Sequence, residues 1–288
     1  MSQFVTEAFV QQFDDNFRHV AQQSVSRFEK AVLIEPNIKG MSKSINRLGQ
    51  RTAQRRTVRH SDTPLNDQPH STRYVDLFDW EDGDMVDDQD KIRMLIDPQS
   101  DYVKAMVGSL SRAKDDVLIS ALGGNSRSST GNIALTTGQK IAVAGAGLTK
   151  AKMIATRAAF RRNEADVEAG EELYYSYGAT QLSDLLSDTT LTNTEINTVL
   201  SMAAGNIVGA ELFGFKMIPS ERLPKVGTTR FNYAWAKSGV TLGIGENVMT
   251  RVGEDPSKGF NVRIYAKMSL GAVRIEEEKV VEIACLDP

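Results

Sequence analysis

One stretch, residues 97–123, constrains the fold most, because it carries the longest unbroken helical pattern in the 288-residue chain. The apolar positions recur every three or four residues, as on one buried helix face: Val103, Met106, Val107, Leu110, Ala113, Val117, Leu118 and Ala121. The opposite, solvent-facing side is predicted to hold Lys104, Ser111, Arg112, Lys114 and Asp115. Asp97 and Pro98 predict the start, and Gly123 predicts the end. About 25 helical residues would span roughly 37 Å, enough for several elements to attach.

A second strong pattern predicts a long strand over residues 260–270. Apolar residues from Phe260 to Leu270 alternate there with polar ones, which is typical of a half-buried strand. The alternation resumes at Val273 and Ile275, and again over 281–285. A long amphipathic helix and a long half-polar strand can lie together as a two-layer slab.

The region between these patterns predicts a compact α/β domain, because helical and strand signals alternate over 148–245. Residues 125–130 are expected to form a flexible connector, and 132–143 one or two short strands. The other predicted elements are a helix over 149–165 capped by Thr149, a strand at 173–177, helices at 179–186 and 192–207, and strands at 214–219 and 231–235.

The N-terminal residues 4–28 form an amphipathic helical pattern that includes Phe9, Phe13 and Phe17. Two interpretations stay open at this point. Such a helix could pack on the core of its own chain, or it could be an arm that lies on another copy. A short strand is predicted at 31–35.

Residues 44–80 are poor in apolar side chains and rich in arginine, with no lysine. Turn-forming residues crowd 61–69, which predicts a hairpin with strands at about 46–60 and 71–80. A two-stranded hairpin without a core is marginal in water, so we expect it to lie on something else. Disorder and a nucleic-acid-binding arm are the alternatives.

An acidic run follows the hairpin. Its spacing fails the EF-hand calcium pattern, because Phe78 and Trp80 would fall where ligands belong. A solvated acidic face is the simplest interpretation. A sharper hypothesis pairs it with hairpin arginines of a neighbouring copy, where only a network of ion pairs would matter. The residues concerned are Arg51, Arg55, Arg56, Arg59 and Arg73 on one side and Glu81, Asp82, Asp84, Asp87 and Asp88 on the other.

Composition and motifs offer little support for catalysis. Net charge is −3, so no overall basic excess indicates nucleic-acid binding. The turn Gly145–Gly147 resembles a dinucleotide-binding entry, but Lys150 occupies the third glycine position. Cys285 is interpreted as a small buried hydrophobe, and no apolar run is long enough to cross a membrane. We therefore predict no enzyme, no catalytic residue, no metal and no cofactor.

Three stretches together resemble the major capsid proteins of tailed bacteriophages, which share the Johnson fold. They are the arginine-rich hairpin, the segment DDQDKIRMLIDPQSDYVKAMVGSLSRAKDDVLISALGG, and the C-terminal GFNVRIYAKMSLGAVRIEEEKVVEIACLD. Their order along the chain is that of the family. The resemblance rests on order and character, and it covers nearly the whole chain.

The resemblance implies an α+β fold with an N-terminal arm at 1–30 and an extended β-hairpin loop at 46–80. A peripheral domain would comprise 31–45, 81–124 and 251–288, with a spine helix at 98–122, and an α/β axial domain would comprise 125–250. The implied function is a coat protein that self-assembles into hexamers and pentamers of an icosahedral shell around double-stranded DNA. Portal, scaffolding and decoration proteins are implied partners. The shell would be part of the virion, assembled in the host cytoplasm.

Three other functions stay open from the sequence. An encapsulin-like compartment shell would share the fold and differ in cargo. A DNA-binding protein could use the arginine-rich hairpin, and an α/β enzyme could use the turn at Gly145–Gly147.

Some members of this family crosslink their subunits through a lysine of the extended loop and an asparagine of another subunit. Residues 44–80 contain no lysine, so we predict that assembled particles contain no such bond. Denaturing electrophoresis of purified particles should give one band at the monomer mass, and a ladder of covalent oligomers would contradict the prediction.

Overall fold

The computed structural model describes residues 22–59, 65, 67–86, 99–165, 170–188, 191, 193–204 and 211–288. Their contacts divide them into two compact units. One unit contains residues 22–25, 80–86, 99–112 and 248–268. The other contains the remaining described residues.

Helix α1 spans Gln99–Gly123, which confirms the predicted long helix almost to the residue. Met106, Leu110, Leu118, Ile119 and Leu122 are buried along it. Gly123 ends the helix where a side chain could not fit, because a Cβ there would overlap the hydroxyl of Tyr233. The predicted start at Asp97 and Pro98 lies outside the described residues.

The predicted polar side of α1 is wrong at two positions, since Lys114 and Asp115 are buried. Residues 26–28 lie against this part of the helix in an irregular conformation. The Asp115 carboxylate accepts hydrogen bonds from Ser26 Oγ at 2.5 Å, the Arg27 amide at 3.0 Å and the Phe28 amide at 3.4 Å. The amide groups of this segment therefore bind a side chain, and residues 22–28 do not form the predicted helix, whose residues 4–21 lie outside the described residues.

The end of this segment is fixed to the core of its own chain. Phe28 is fully buried and stacks on Trp235 with 5.5 Å between ring centroids. The Trp235 indole donates to the Ala31 carbonyl at 2.8 Å. Lys114 forms an ion pair with Glu29 at 3.1 Å. Residues 26–31 are thus an integral part of the fold.

A four-stranded sheet has the order β1–β13–β14–β4. Its strands are β1 (Leu33–Glu35), β13 (Val240–Asp255), β14 (Asn261–Arg274) and β4 (Phe78–Val86). Strand β14 confirms the predicted alternation from Val262 on, with Val262, Ile264, Ala266, Met268 and Leu270 all buried. The prediction is wrong for Phe260, which precedes the strand with a positive φ and is exposed. The acidic run up to Val86 forms β4, which is the edge strand of this sheet.

The sequence analysis missed β13, the longest strand, because its glycines interrupt the alternation. Two of those glycines allow a close approach of other chain segments. A Cβ on Gly243 would lie 2.6 Å from Ile38 Cδ1 and 2.7 Å from Val75 Cγ1. A Cβ on Gly245 would lie 2.8 Å from Leu77 Cδ1. The residues that hide the strand pattern are thus required by the packing.

The predicted hairpin exists, but its strands are shorter and begin earlier than expected. Strand β2 (Ser42–Leu48) pairs antiparallel with β3 (His70–Asp76), from Ser42 opposite Asp76 to Leu48 opposite His70. The ladder ends at Pro69, which lacks an amide hydrogen. The Pro69 carbonyl and the Gln68 side chain both bind the backbone of Gly49.

The predicted flexible connector at 125–130 is instead part of this hairpin sheet. Strands β5 (Ser126–Ser128) and β6 (Gly131–Ile133) form a tight hairpin, and Ser128 of β5 pairs with Arg73 of β3. The sheet order is β2–β3–β5–β6. This pairing over a long sequence separation leaves no local signal.

A seven-stranded mixed sheet forms the largest layer, with β11 attached to β12 at its side. The order along the sheet is β7 (Lys140–Ile141), β15 (Val280–Leu286), β12 (Thr229–Ala236), β8 (Leu173–Tyr177), β10 (Phe215–Pro219) and β9 (Glu211–Leu212), and β11 is Lys225–Val226. Helices α2 (Lys150–Arg162), α3 (Ala179–Ser187) and α4 (Asn193–Ala203) share a core with it. The α/β pattern predicted for 148–245 is thereby confirmed, including the Thr149 cap.

Strand β15 pairs with β12 along seven residue pairs, from Thr229 opposite Leu286 to Trp235 opposite Val280. The sequence analysis had grouped residues 280–286 with the peripheral segment. In the structure these residues form an interior strand of the seven-stranded sheet, between β7 and β12, where Val281, Ile283 and Cys285 enter its core.

The buried guanidinium of Arg274 caps the C-terminal end of α1. Arg274, at the end of β14, donates to the carbonyls of Leu122 at 2.9 Å, Gly124 at 2.8 Å and Ile133 at 3.1 Å. Burial lowers the pKa of Arg274. The carbonyl groups that a helix end leaves without partners are here bound by a strand residue.

We predict that Asp115→Ala destabilises the protein by about 2–4 kcal/mol, because one buried and two partly buried donors lose their acceptor. Asp116→Ala is the matched control. Asp116 pairs with Arg222, and both side chains are more than a third exposed, so its loss should cost at most about 1 kcal/mol. Urea unfolding of the two variants measures both values. Equal losses would contradict the role assigned to Asp115.

Candidate subunit interface

The base of the arginine-rich hairpin is bound to its own chain. Arg73 on β3 is 3% exposed, and its Nη2 donates to both oxygens of Glu277 at 3.1 Å. Arg47 on β2 donates to Glu277 at 3.4 Å and to Glu278 at 3.2 Å. Arg73 is one of the predicted contacts between copies, but in the structure it pairs with Glu277 of its own chain.

Glu277 was missed by the sequence analysis. The only local signal was the acidic triplet at 276–278 between two strand patterns, where solvent exposure is the usual explanation. The structure gives the triplet a specific role at Glu277, which is buried in the short turn between β14 and β15.

An apolar contact supports the same hairpin base. Val75 is fully buried with Val273 and Ile275, and Ile45 packs against them. The expectation that the whole hairpin lacks a core is therefore wrong for its base. It agrees with the exposure of residues 50–59 beyond Leu48.

The distal arginines are exposed. Arg51, Arg55, Arg56 and Arg59 lie on a segment, 50–59, in which every side chain is solvent-accessible. Arg56 Nε donates to the nearby Val58 carbonyl at 3.1 Å. This segment presents a row of cations beyond the end of the strand ladder.

The acidic residues lie on the edge strand β4. Glu81 and Asp84 are exposed, and Asp82 is half-buried. The exposed apolar side chains Phe78 and Trp80 lie on the same strand. Burial, and then a hydrogen bond to Glu81, raise the pKa of Tyr265. The edge therefore combines negative charge with uncovered aromatic surface.

The remaining candidates cannot be placed. Phe9, Phe13, Phe17, Asp87 and Asp88 lie outside the described residues. Whether they contact another copy stays a prediction.

The turn at Gly145–Gly147 is filled by carboxylates where a phosphate would bind. Asp184 accepts from the Leu148 amide at 2.9 Å, and Asp188 accepts from the Lys150 amide at 3.1 Å. Lys152 points away from solvent and donates to the carbonyls of Val143, Ala146 and Ala284. Fixed negative charge at this helix start opposes nucleotide binding.

Other chemistry has little support among the described residues. Cys285 is fully buried, and burial raises its thiol pKa to about 11. The described part of the chain contains no group of three or more His, Cys, Asp or Glu side chains arranged to hold a metal ion. Nor does it contain a helix with the length and apolar character needed to cross a membrane.

With this geometry in place, comparison with known proteins decides the family. A family model described as "Phage capsid protein" matches residues 5–287. The chain belongs to the phage capsid protein family. It is thus a structural protein of phage virions, where it contributes to the capsid shell, and the family favours this function over the encapsulin-like alternative.

Solved structures show the same fold. The capsid of the cyanophage P-SCSP1u matches with a TM-score of 0.73 at 14% identity, covering 99% of this chain and 95% of that one. The capsid of a native GTA particle matches with a TM-score of 0.72 at 12% identity, covering 97% and 96%. Mycobacterium phage Che8 matches with a TM-score of 0.66 at 15% identity, covering 96% and 97%. A search of curated proteins finds no match.

We predict that Cys285 does not react with a thiol reagent such as Ellman's reagent in the folded capsid protein. A thiol pKa near 11 reduces the thiolate at pH 8 by roughly 100-fold relative to a free cysteine, and burial blocks access as well. Reaction should begin only when urea unfolds the chain. Equal labelling rates with and without urea would contradict the buried position.

Proposed function

We propose that this protein is the major coat protein of a phage head and assembles as hexamers and pentamers of an icosahedral shell. The family match over nearly the whole chain is the observation that carries the proposal. The fold adds two complementary surfaces on one molecule. Such surfaces generate closed rings when the rotation between copies closes.

The two surfaces are the exposed arginines beyond Leu48 and the acidic edge strand β4. We propose that the arginines of one copy lie on the β4 edge of the next. Single exposed ion pairs contribute only about 0–1 kcal/mol each. Several such pairs per contact, repeated around a shell, give a directional attraction that salt can weaken.

The domain assignment of the family fits this arrangement. In our proposal the hairpin β2–β3 and its distal segment form the extended loop, and α1 is the spine helix. The seven-stranded sheet with α2, α3 and α4 is the axial domain, to which β15 also belongs. The N-terminal arm of the family would correspond to residues before Ser26, of which 1–21 lie outside the described residues.

The charge of the protein suits a container for nucleic acid. A net charge of −3 disfavours tight non-specific binding of DNA to the wall, because such binding depends on Lys and Arg contacts with phosphates. We therefore propose that the shell encloses double-stranded DNA without reading its sequence. Portal, scaffolding and decoration proteins are the partners that a shell of this family would recruit.

We predict that the triple variant Arg55→Glu, Arg56→Glu and Arg59→Glu stays folded but forms no shells. These side chains are exposed, so the subunit loses no internal packing. The variant Lys30→Glu, Lys39→Glu and Lys258→Glu changes the charge equally at exposed positions elsewhere and should assemble. Negative-stain microscopy and circular dichroism measure assembly and folding.

A compensating variant identifies the partner surface. Glu81→Lys, Asp82→Lys and Asp84→Lys should block assembly alone and restore it when combined with the arginine-to-glutamate triple variant. Normal shells from the arginine triple variant would refute the arginine contact. If the combined variant fails to assemble, the arginines contact a surface other than the β4 edge.

A further inference from the structure

One carboxylate is shared by both strands of the extended hairpin. Glu277 binds Arg73 on β3 through two hydrogen bonds of 3.1 Å and Arg47 on β2 through one of 3.4 Å. Arg47 and Arg73 lie on different strands of one ladder, in which Ile45 is opposite Arg73 and Arg47 is opposite Ser71. A single side chain therefore fixes both strands at the point where the hairpin leaves the body.

The turn that carries Glu277 is itself held firmly. The Glu278 carbonyl accepts from Gln139 Nε2 at 3.1 Å and from Asn163 Nδ2 at 3.2 Å. Lys279 donates to Glu171 at 3.3 Å and to Ser238 at 2.7 Å. Glu277 thus projects from a fixed point of the seven-stranded-sheet domain toward the hairpin.

The two arginine contacts differ in their surroundings. The Arg73 side chain is 3% exposed and that of Arg47 is 24% exposed. On the Arg47 side an open cleft of about 490 Å³ is lined by Gln50, Arg162 and Glu164 among others. The hairpin base therefore borders open space on the Arg47 side, and the shared carboxylate opposes movement into it.

We propose that Glu277 is a positioning residue for shell assembly, which sets the direction of the extended hairpin so that its distal arginines reach the neighbouring subunit. This inference rests on the proposed function of the hairpin. Apolar contacts at Val75 hold the hairpin base to the body, and the charges select its angle. Without them the base stays attached, but the distal segment samples several directions.

The competing explanation is that the pair contributes only to stability. Buried ion pairs can often be replaced by apolar side chains of similar size at no loss of stability. The variant Arg73→Met with Glu277→Leu removes both charges of this pair together, so neither partner is left as a lone buried charge. The buried Arg274, which also interacts with Glu277, keeps its backbone carbonyl acceptors. The double variant therefore tests the direction of the hairpin separately from the stability of the protein. Single substitutions such as Glu277→Gln do not separate the two effects.

The first measurement is made on isolated subunits. Spin labels at Gln50→Cys and Thr228→Cys report the distance between hairpin and body, and the native Cys285 is buried and stays unlabelled. We expect one narrow distance distribution in the parent protein and a broad one in the Arg73→Met, Glu277→Leu variant, at an equal or higher melting temperature. An equally narrow distribution in the variant would overturn the proposal.

The second measurement is the yield of shells from the same proteins. The charge-free variant should lose roughly tenfold or more in shell yield, although it folds. The control Glu278→Gln removes only one exposed contact of Arg47 and should keep the parent yield. Full yield from the charge-free variant would show that Glu277 does not position the hairpin for assembly.

The two measurements fail in different ways. If the parent protein forms no shells, the proposed function is wrong, and the spin-label distances still test whether Glu277 sets the hairpin direction. If shells form normally from a variant with a broad distance distribution, the hairpin direction is not what assembly requires.

Discussion

The junction between α1 and β14 depends on Arg274. Its guanidinium binds the last carbonyls of α1 and the Ile133 carbonyl of β6, so it connects the long helix, the long strand and the hairpin sheet at one point. A buried charge is costly unless its hydrogen bonds are satisfied. Here backbone carbonyls accept from both terminal nitrogens of the guanidinium, and the negative end of the α1 dipole adds to the attraction.

The parts of the fold that depend on local periodicity could be predicted from the sequence. Helix α1, strand β14 and the elements around α2 and β8 each repeat a pattern within their own residues. The fate of Asp115 could not be predicted, because its partners at 26–28 are almost ninety positions away. Strand β13 was hidden by glycines that serve contacts with Ile38, Val75 and Leu77. The sheet position of β15 follows from its pairing with β12, which no local pattern encodes.

The residues of the candidate interface also differ in whether local sequence reveals their role. The exposed arginines and the acidic strand were identified from composition, because runs of like charge with few apolar residues indicate solvent exposure. Arg73 has the same side chain but a different role, since burial beside Glu277 commits it to its own molecule. Sequence alone could not distinguish Arg73 from Arg55. The distinction required knowing that β3 lies beside the turn at 277–279.

Among the described residues, strand β4 lies at the edge of its sheet and carries exposed aromatic side chains, and such edges pair readily with one another. Its carboxylates repel a second β4 edge from another copy. Newly made subunits should therefore avoid joining through identical edges, while a basic segment would still be attracted. The acidic run would in this way protect the free protein from disordered aggregation and keep the edge available for ordered growth of the shell.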